Sequence, residues 1–200
     1  MKKKRMVAKA PPILASAGAA LKLDLACGQS PREGFEGVDI WAGAKHQVNL
    51  QQFPWPFDDN SAAELHCSHY IEHIPAEMIQ TGGGLKDALF AFFDEAWRIL
   101  EPGGMMTVIC PSARSNRAFQ DPTHRRFIVA ETFQYLVAEW RRANRLDHYN
   151  VACDFEVTLN WTTSSELSVR APEVQQMQFH HYWNTIHDWH VTLRAVKPSR

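Results

Sequence analysis

Neither the dinucleotide fingerprint GxGxxG nor the phosphate loop GxxxxGK[ST] occurs in this chain. A P-loop is thereby excluded, and a pyrophosphate would find no close glycine pair to hold it. CxxC pairs are missing as well, since Cys27, Cys67, Cys110 and Cys153 stand 40, 43 and 43 residues apart. That spacing fits buried free thiols in a reducing cytosol better than a disulfide framework or a zinc site, and a cytoplasmic location is expected. No apolar run approaches the roughly 18 residues that span a bilayer. Charge of one sign is also scarce in excess: 21 Lys+Arg against 22 Asp+Glu leave a net charge of -1. Such a balance suits neither a general nucleic-acid binder nor an acidic tail protein.

What is present describes one globular domain, 200 residues at 45% hydrophobic, with enough chain for a sizeable core. The first stretch, "MKKKRMVAKAPPILASAGAAL", has the basic residues, apolar patch and Ala-x-Ala of a secretory signal. Pro11 and Pro12 interrupt it, and a basic, partly disordered arm over residues 1–20 is the expectation, with a single domain over 21–200. From there short apolar runs alternate with helical patterns, the order of an α/β domain with a mainly parallel sheet. Strands are expected at 21–26, 35–40, 46–49, 63–68 and 105–110. Helical spacing over 85–100 puts Leu85, Ala88, Leu89, Phe92, Phe93, Ala96, Ile99 and Leu100 on one face, with a stop at Pro102–Gly103–Gly104. A second helix is expected from about 128 to 145. "NVACDFEVTLNW" and "TIHDWHVTLRAV" alternate like two antiparallel strands that close the sheet at one edge. The expected fold is therefore a Rossmann-like, doubly wound sheet of seven strands, mainly parallel, with an antiparallel C-terminal hairpin.

In such a sheet ligands bind beyond the carboxyl ends of the strands, where strand order reverses. The first strand runs into "ACGQS", whose small residues let backbone N–H groups approach a ligand. Fifteen residues after Asp24 comes Asp39, closing "FEGVDI" at the end of the second strand. A carboxylate there can accept hydrogen bonds from both hydroxyls of a ribose. With one glycine in the loop, an adenosine cofactor without a phosphate suits the site better than a dinucleotide.

"LDLACG", "GVDI", "WPFDDNSAAELHCSHYIEHI" and "EAWRILEPGGMMTVICPS", in that order, resemble a class I S-adenosylmethionine-dependent methyltransferase of the small type-11-like kind, over about residues 21–112. The resemblance implies that Asp24, Ala26, Cys27 and Gly28 line the methionine part of the cofactor. It further implies Asp39, with Ile40, at the ribose, Asn49 and Leu50 flanking the adenine, and Ser68 with His69 under the sulfonium. Two positions depart from the usual pattern: Ala26 stands where glycine is common, and Asn49 where aspartate often stands. A third departure is length. Six residues, 29–34, link the first two strands, whereas a parallel crossover normally takes a dozen or more. The first crossover helix is expected to be missing or very short, with the apolar stretch 13–21 covering the sheet face it leaves.

Methyl transfer needs proximity and alignment, and a base only where the acceptor must lose a proton. His69, in "SHYIEHIP" after the fourth strand, is a candidate general base or acceptor-positioning group; His73 reads as a packing or capping residue and Glu72 as a partner of backbone or base. Asp121, Thr123 and His124 in "QDPTHRRF" read either as an acceptor contact or as an Asp-Pro turn with an N-cap. Arg114, Arg117, Arg125, Arg126, Arg141, Arg142 and Arg145 against Asp121, Glu131 and Glu139 leave four excess positives, a possible phosphate or nucleic-acid face or a solvated helix. The exocyclic-amino and cytosine-C5 motifs of DNA methyltransferases are missing, since "SHYI" and Cys110–Pro111 stand in their places. "HHYWNTIHDWH" (180–190) matches no standard zinc spacing, and no metal is expected. Trp41, two residues past Asp39, is a candidate to rest against the adenosine. The sequence thus points to methyl transfer from S-adenosylmethionine to an unidentified acceptor, a small molecule before a nucleic acid, with no membrane partner. The alternatives are a non-catalytic module acting through the arginine face 114–145 and a nicotinamide-binding Rossmann oxidoreductase.

Overall fold

The computed structural model describes residues 20–82 and 84–198. The expected N-terminal arm and the proposed covering stretch 13–21 lie outside these residues, but for their last one or two. The chain runs β1 (Leu21–Leu25), β2 (Glu36–Asp39), β3 (His46–Gln47), β4 (Ala62–Ser68), β5 (Met78–Thr81), β6 (Gly84–Asp87), α1 (Ala88–Ile99) and β7 (Leu100–Pro111). Then follow α2 (Arg117–Gln120), α3 (Ala138–Ala143), β8 (Phe155–Trp161), α4 (Ser165–Ser168), α5 (Pro172–His181) and β9 (Asp188–Ala195). Seven strands form one sheet in the order β3-β2-β1-β4-β7-β9-β8. Neighbours are parallel from β3 through β7, while β9 runs antiparallel to both β7 and β8. This is the expected Rossmann-like sheet. Its antiparallel pair is joined through α4 and α5, which the sequence reading did not anticipate, and β9 lies inside the sheet with β8 at the edge.

Strand alternation decides where the core sits. Leu21, Leu23 and Leu25 of β1, Leu65 and Cys67 of β4, Met106, Val108 and Cys110 of β7, and Val191 and Leu193 of β9 are all buried. They pack in one cluster with Ala88, Leu89, Phe92, Phe93, Ala96 and Ile99 of α1. That helix begins where Asp87 accepts the Leu89 N–H (2.8 Å), a side-chain cap for an otherwise orphaned donor. Residues 85–87, expected inside the helix, instead pair with β5 in a two-stranded ribbon, and Leu85 is exposed. Gly84, at φ +108°, turns the chain there in a way helical backbone does not permit.

The helix expected over 128–145 is also corrected. A 3-10 segment at Ala130–Leu136 ends at the extended Val137, and α3 then starts afresh with the Ala138 N–H donated to Asp154 (2.8 Å). Arg141, buried, reaches back to the carbonyls of Tyr135 (2.7 Å) and Cys153 (2.7 Å). These tertiary bonds replace helical ones, so the apolar spacing alone overestimated the helix.

The opposite sheet face is polar. Its paired positions run Lys22, Glu64, Met105, Arg194, Glu156 along one row and Asp24, His66, Thr107, Thr192, Thr158 along the next. Between β1 and β2 the chain makes turns only, so the first crossover helix is absent, as expected. In its place Arg32 and Phe35 fold over the face: Phe35 meets the His66 ring edge-on (6.1 Å), and both Lys22 (5.6 Å) and Arg32 (5.5 Å) lie over Phe35. Beneath them Asp24 and His66 are buried and bonded to each other (2.7 Å).

Candidate functional site

The chain order reverses at β1, which has β2 on one side and β4 on the other. The carboxyl ends of these three strands hold most of the residues singled out above. Past β1 the backbone turns sharply: Ala26 (φ 57°) and Gly28 (φ 56°) are left-handed, and the Ala26 N–H donates to Val38 O (2.8 Å). At the end of β4, His69 is left-handed too (φ 53°), its N–H donating to Ile109 O (2.8 Å). Non-glycine residues held in this region store strain, and such strain gathers at ligand sites. The expectation of glycine at position 26 thus has a structural cause.

Asp39 stands at the centre. Its Oδ2 accepts the Gly28 N–H (2.9 Å) and its Oδ1 accepts the Trp41 N–H (2.9 Å), so one carboxylate ties the β1 loop to the β2 end. Each oxygen retains acceptor capacity for a ligand hydroxyl. A Cβ on Gly28 would touch nothing within 4 Å, so open space adjoins the loop. Gly37 is the reverse case: a Cβ there would fall 2.7 Å from Cys27 Sγ and 3.1 Å from Pro31 Cβ, so the loop packs directly on strand β2. Burial, with Asp24 and Asp39 nearby, pushes the Cys27 thiol up, which keeps it protonated.

Asp24 is turned inward. Its Oδ2 accepts the Arg32 N–H (2.8 Å) and its Oδ1 faces His66, so it fastens the β1–β2 link. On the other flank Asn49 caps its own turn, accepting the Gln51 N–H (3.0 Å), and Leu50 is buried beside it. Ile40 and Trp41 are exposed past Asp39, with the Trp41 ring lying over Gly43, where a Cβ would come within 2.3 Å of it. Tyr70, which the sequence reading passed over, joins this group: burial raises its hydroxyl to about 12, against a hydrogen bond with Gln51. The "SHYIEHIP" string held it, but nothing in that string tells a core tyrosine from a site tyrosine.

Beyond β4 a 3-10 turn, Ile71–His73, presents Glu72 and His73. Glu72 is 1% exposed, and neither carboxylate oxygen has a hydrogen-bond partner. His69 Nδ1 stands 3.4 Å from Oε1, an ion-pair distance without hydrogen-bond geometry. That carboxylate raises the His69 pKa, with burial opposing it. The segment 121–126 docks on this turn: the Arg125 and Arg126 N–H groups both donate to Glu72 O (2.7 and 3.0 Å). His124 thereby meets His73, ring centroids 4.7 Å apart, and Thr123 Oγ1 lies 3.0 Å from His73 Nδ1. Thr123 also donates its hydroxyl and N–H to Asp121 (2.7 and 2.8 Å), holding that carboxyl below the usual range. The structure brings together residues that the sequence reading treated separately.

Most of the basic face is taken up within the chain. Arg114 donates to the carbonyls of Phe179, His180 and Tyr182, Arg117 pairs with Asp188, and Arg126 with Asp87. Arg141 is buried, and Arg125 donates to Pro122 O (3.0 Å). These five arginines are engaged within the chain, whereas Arg142 and Arg145 are exposed, so much but not all of the excess charge read from sequence is structural. The histidines of 180–190 do not converge: His180 and His181 end α5 and His190 lies on β9. All four cysteines are free thiols, with Cys67, Cys110 and Cys153 buried. None of the described helices is long and apolar enough to cross a membrane.

Comparison with protein-family models finds no match, and neither does comparison with curated proteins. Solved structures do match. A SAM-dependent methyltransferase from Archaeoglobus fulgidus superposes at a TM-score of 0.56 with 16% identity, over 88% of this chain and 86% of that one. A putative methyltransferase from Bacillus halodurans (14% identity, TM-score 0.46, 92% and 95% covered) and an S-adenosylmethionine-dependent methyltransferase from Mesorhizobium loti (13%, 0.46, 94% and 94%) are looser likenesses. The fold is that of class I S-adenosylmethionine-dependent methyltransferases.

Proposed function

We propose that this protein is an S-adenosylmethionine-dependent methyltransferase. The observation that carries the reading is Asp39: a carboxylate at the end of β2, at the point of strand reversal, clamped by the Gly28 N–H and still able to accept from a ribose. In this reading Asp39 and Ile40 hold the ribose, and Ala26, Cys27 and Gly28 present the loop backbone to the methionine end, with Asp24 fixing that loop from beneath. Asn49 and Leu50 border the adenine. Ser68 and His69 close the site where the methyl group departs. The cofactor supplies an electrophilic methyl on sulfonium sulfur. The chain's own part is to align that sulfur with the acceptor and to keep water out.

On the acceptor side stand His69, Asp121 and His124, with His69 assigned to orient the acceptor or to take its proton. A small molecule suits this reading better than a nucleic acid, because five of the seven arginines that would grip phosphates are engaged within the chain. Calorimetric titration with S-adenosylhomocysteine, NAD and ATP tests the proposal. Binding of S-adenosylhomocysteine alone is expected, and Asp39→Ala should weaken it by about tenfold or more through loss of charge-assisted hydrogen bonds. Equal affinity in the variant would sink the assignment of Asp39, and binding of NAD in its place would turn the reading to a nicotinamide site.

A further inference from the structure

Glu72 poses a physical problem. A carboxylate removed from water costs several kcal/mol unless it is paired or ligates a cation, and this one has only the half-exposed His69 ring at ion-pair distance (3.4 Å), with no hydrogen bond to either oxygen. Two histidines stand beside it. One ligand atom from each of Glu72, His73 and His124 lies within 4.8 Å of the other two. A tetrahedral zinc with bonds of about 2.0–2.1 Å places its ligands roughly 3.3 Å apart, so modest side-chain rotations close the set.

The hydrogen bonds around the rings fix which nitrogens are free. His124 Nδ1 faces the Ala118 carbonyl (2.9 Å), which can only accept, so Nδ1 carries the proton and Nε2 keeps its lone pair. Thr123 donates its single hydroxyl hydrogen to Asp121 and therefore accepts from His73 Nδ1–H, which frees Nε2 of His73 in the same way. Outer partners that hold one ring nitrogen so that the other can ligate are the usual support of a histidine metal ligand. The supports here are a carbonyl for one ring and a carboxylate–hydroxyl relay for the other. The two segments are clamped by the paired N–H bonds of Arg125 and Arg126 to Glu72 O and by Arg126 to Ile74 O (3.0 Å), so the three groups are held close before any ion arrives.

We propose that Glu72, His73 and His124 bind a borderline divalent cation of the zinc class. Two imidazoles and one carboxylate favour such an ion over magnesium or calcium, which prefer oxygen ligands. Three protein ligands leave a tetrahedral position open to water or to another ligand. The inference stands apart from the methyltransferase reading, because metal binding is measured without cofactor or acceptor.

The test uses the full chain, stripped with chelator and titrated calorimetrically with zinc chloride. One equivalent is expected to bind. Glu72→Gln, His73→Ala and His124→Ala should each weaken binding at least tenfold, and Thr123→Ala about tenfold through the loss of its support. His180→Ala/His181→Ala should bind as the unaltered protein does. Should Glu72→Gln fail to fold by circular dichroism, the two histidine variants, on partly exposed side chains, decide the matter. Cobalt(II) substitution adds a signature: a nitrogen and oxygen set gives visible d–d bands without a thiolate charge-transfer band. Failure to bind, undiminished binding in His124→Ala, or a thiolate band pointing to a cysteine would each overturn the proposal.

Discussion

Ala26 carries a methyl group in a backbone conformation, φ 57°, that glycine adopts freely and other residues adopt at a cost. Its position is fixed by the bond from its N–H to Val38 O, so the chain cannot relax the angle without giving up the loop. Ala26→Gly is therefore expected to stabilise the fold by about 0.5–1 kcal/mol, the relief of strain exceeding the entropy that glycine adds to the unfolded chain. The urea midpoint reads this directly. A lower midpoint would mean that the methyl group's contacts outweigh the strain. At the same scale, Asp39 and Glu72 show that a carboxylate does different work by place. Asp39, at a strand end with open space beside the loop, accepts two backbone N–H groups; Glu72, buried in a turn, has a histidine at ion-pair distance and no hydrogen bond.

Among the elements, α1 is where separate parts of the chain meet. Asp94, on this helix, pairs through Oδ2 with Lys86 of β6 and accepts through Oδ1 the N–H groups of Ala152 (2.9 Å) and Cys153 (2.8 Å). One side chain thus joins the ribbon before the helix to the segment that leads into β8. Both members of the ion pair are largely buried, so removing one strands the other charge. Asp94→Ala should cost about 3–5 kcal/mol in chemical denaturation. A loss below about 1 kcal/mol would show that Lys86 reaches water or another acceptor. The same helix shows what apolar spacing over 85–100 can and cannot mark: period alone marks the buried face, but the pairing of 85–87 with β5 and the Asp87 cap set where the helix begins.

At the scale of the whole molecule, the two sheet faces are unlike. One packs on α1 and the aromatic cluster of Trp55, Phe92, Phe93 and Phe133, and the other is a polar surface of paired threonines and charges. Phe93→Ala should cost about 3–5 kcal/mol. Thr158→Ala, exposed on the far face, should stay within about 0.5 kcal/mol. Comparable losses at both positions would mean that the polar face is covered and that its chemistry has been misread. The missing first helix becomes intelligible on this basis, since a face of charges and threonines, with Arg32 and Phe35 over Asp24 and His66, has little apolar surface to hide.

By itself the sequence determined the sheet and the loops at the carboxyl ends of its first strands. Strand periodicity, the small-residue loop after β1 and an aspartate closing β2 are local patterns, and local pattern is what sequence shows; hence the seven strands and the place of Asp39 were legible. The metal-capable cluster was not, because Glu72 and His73 stand some fifty residues from His124, and neither "IEH" nor "PTH" has a ligand spacing. Nor was the fate of the arginines: their charges are counted along the chain, but Arg126 and Arg117 find their carboxylates across it, at Asp87 and Asp188. Tertiary structure alone decided these points, for an ion or a carbonyl responds to distance in space, and no periodicity along the chain encodes that distance.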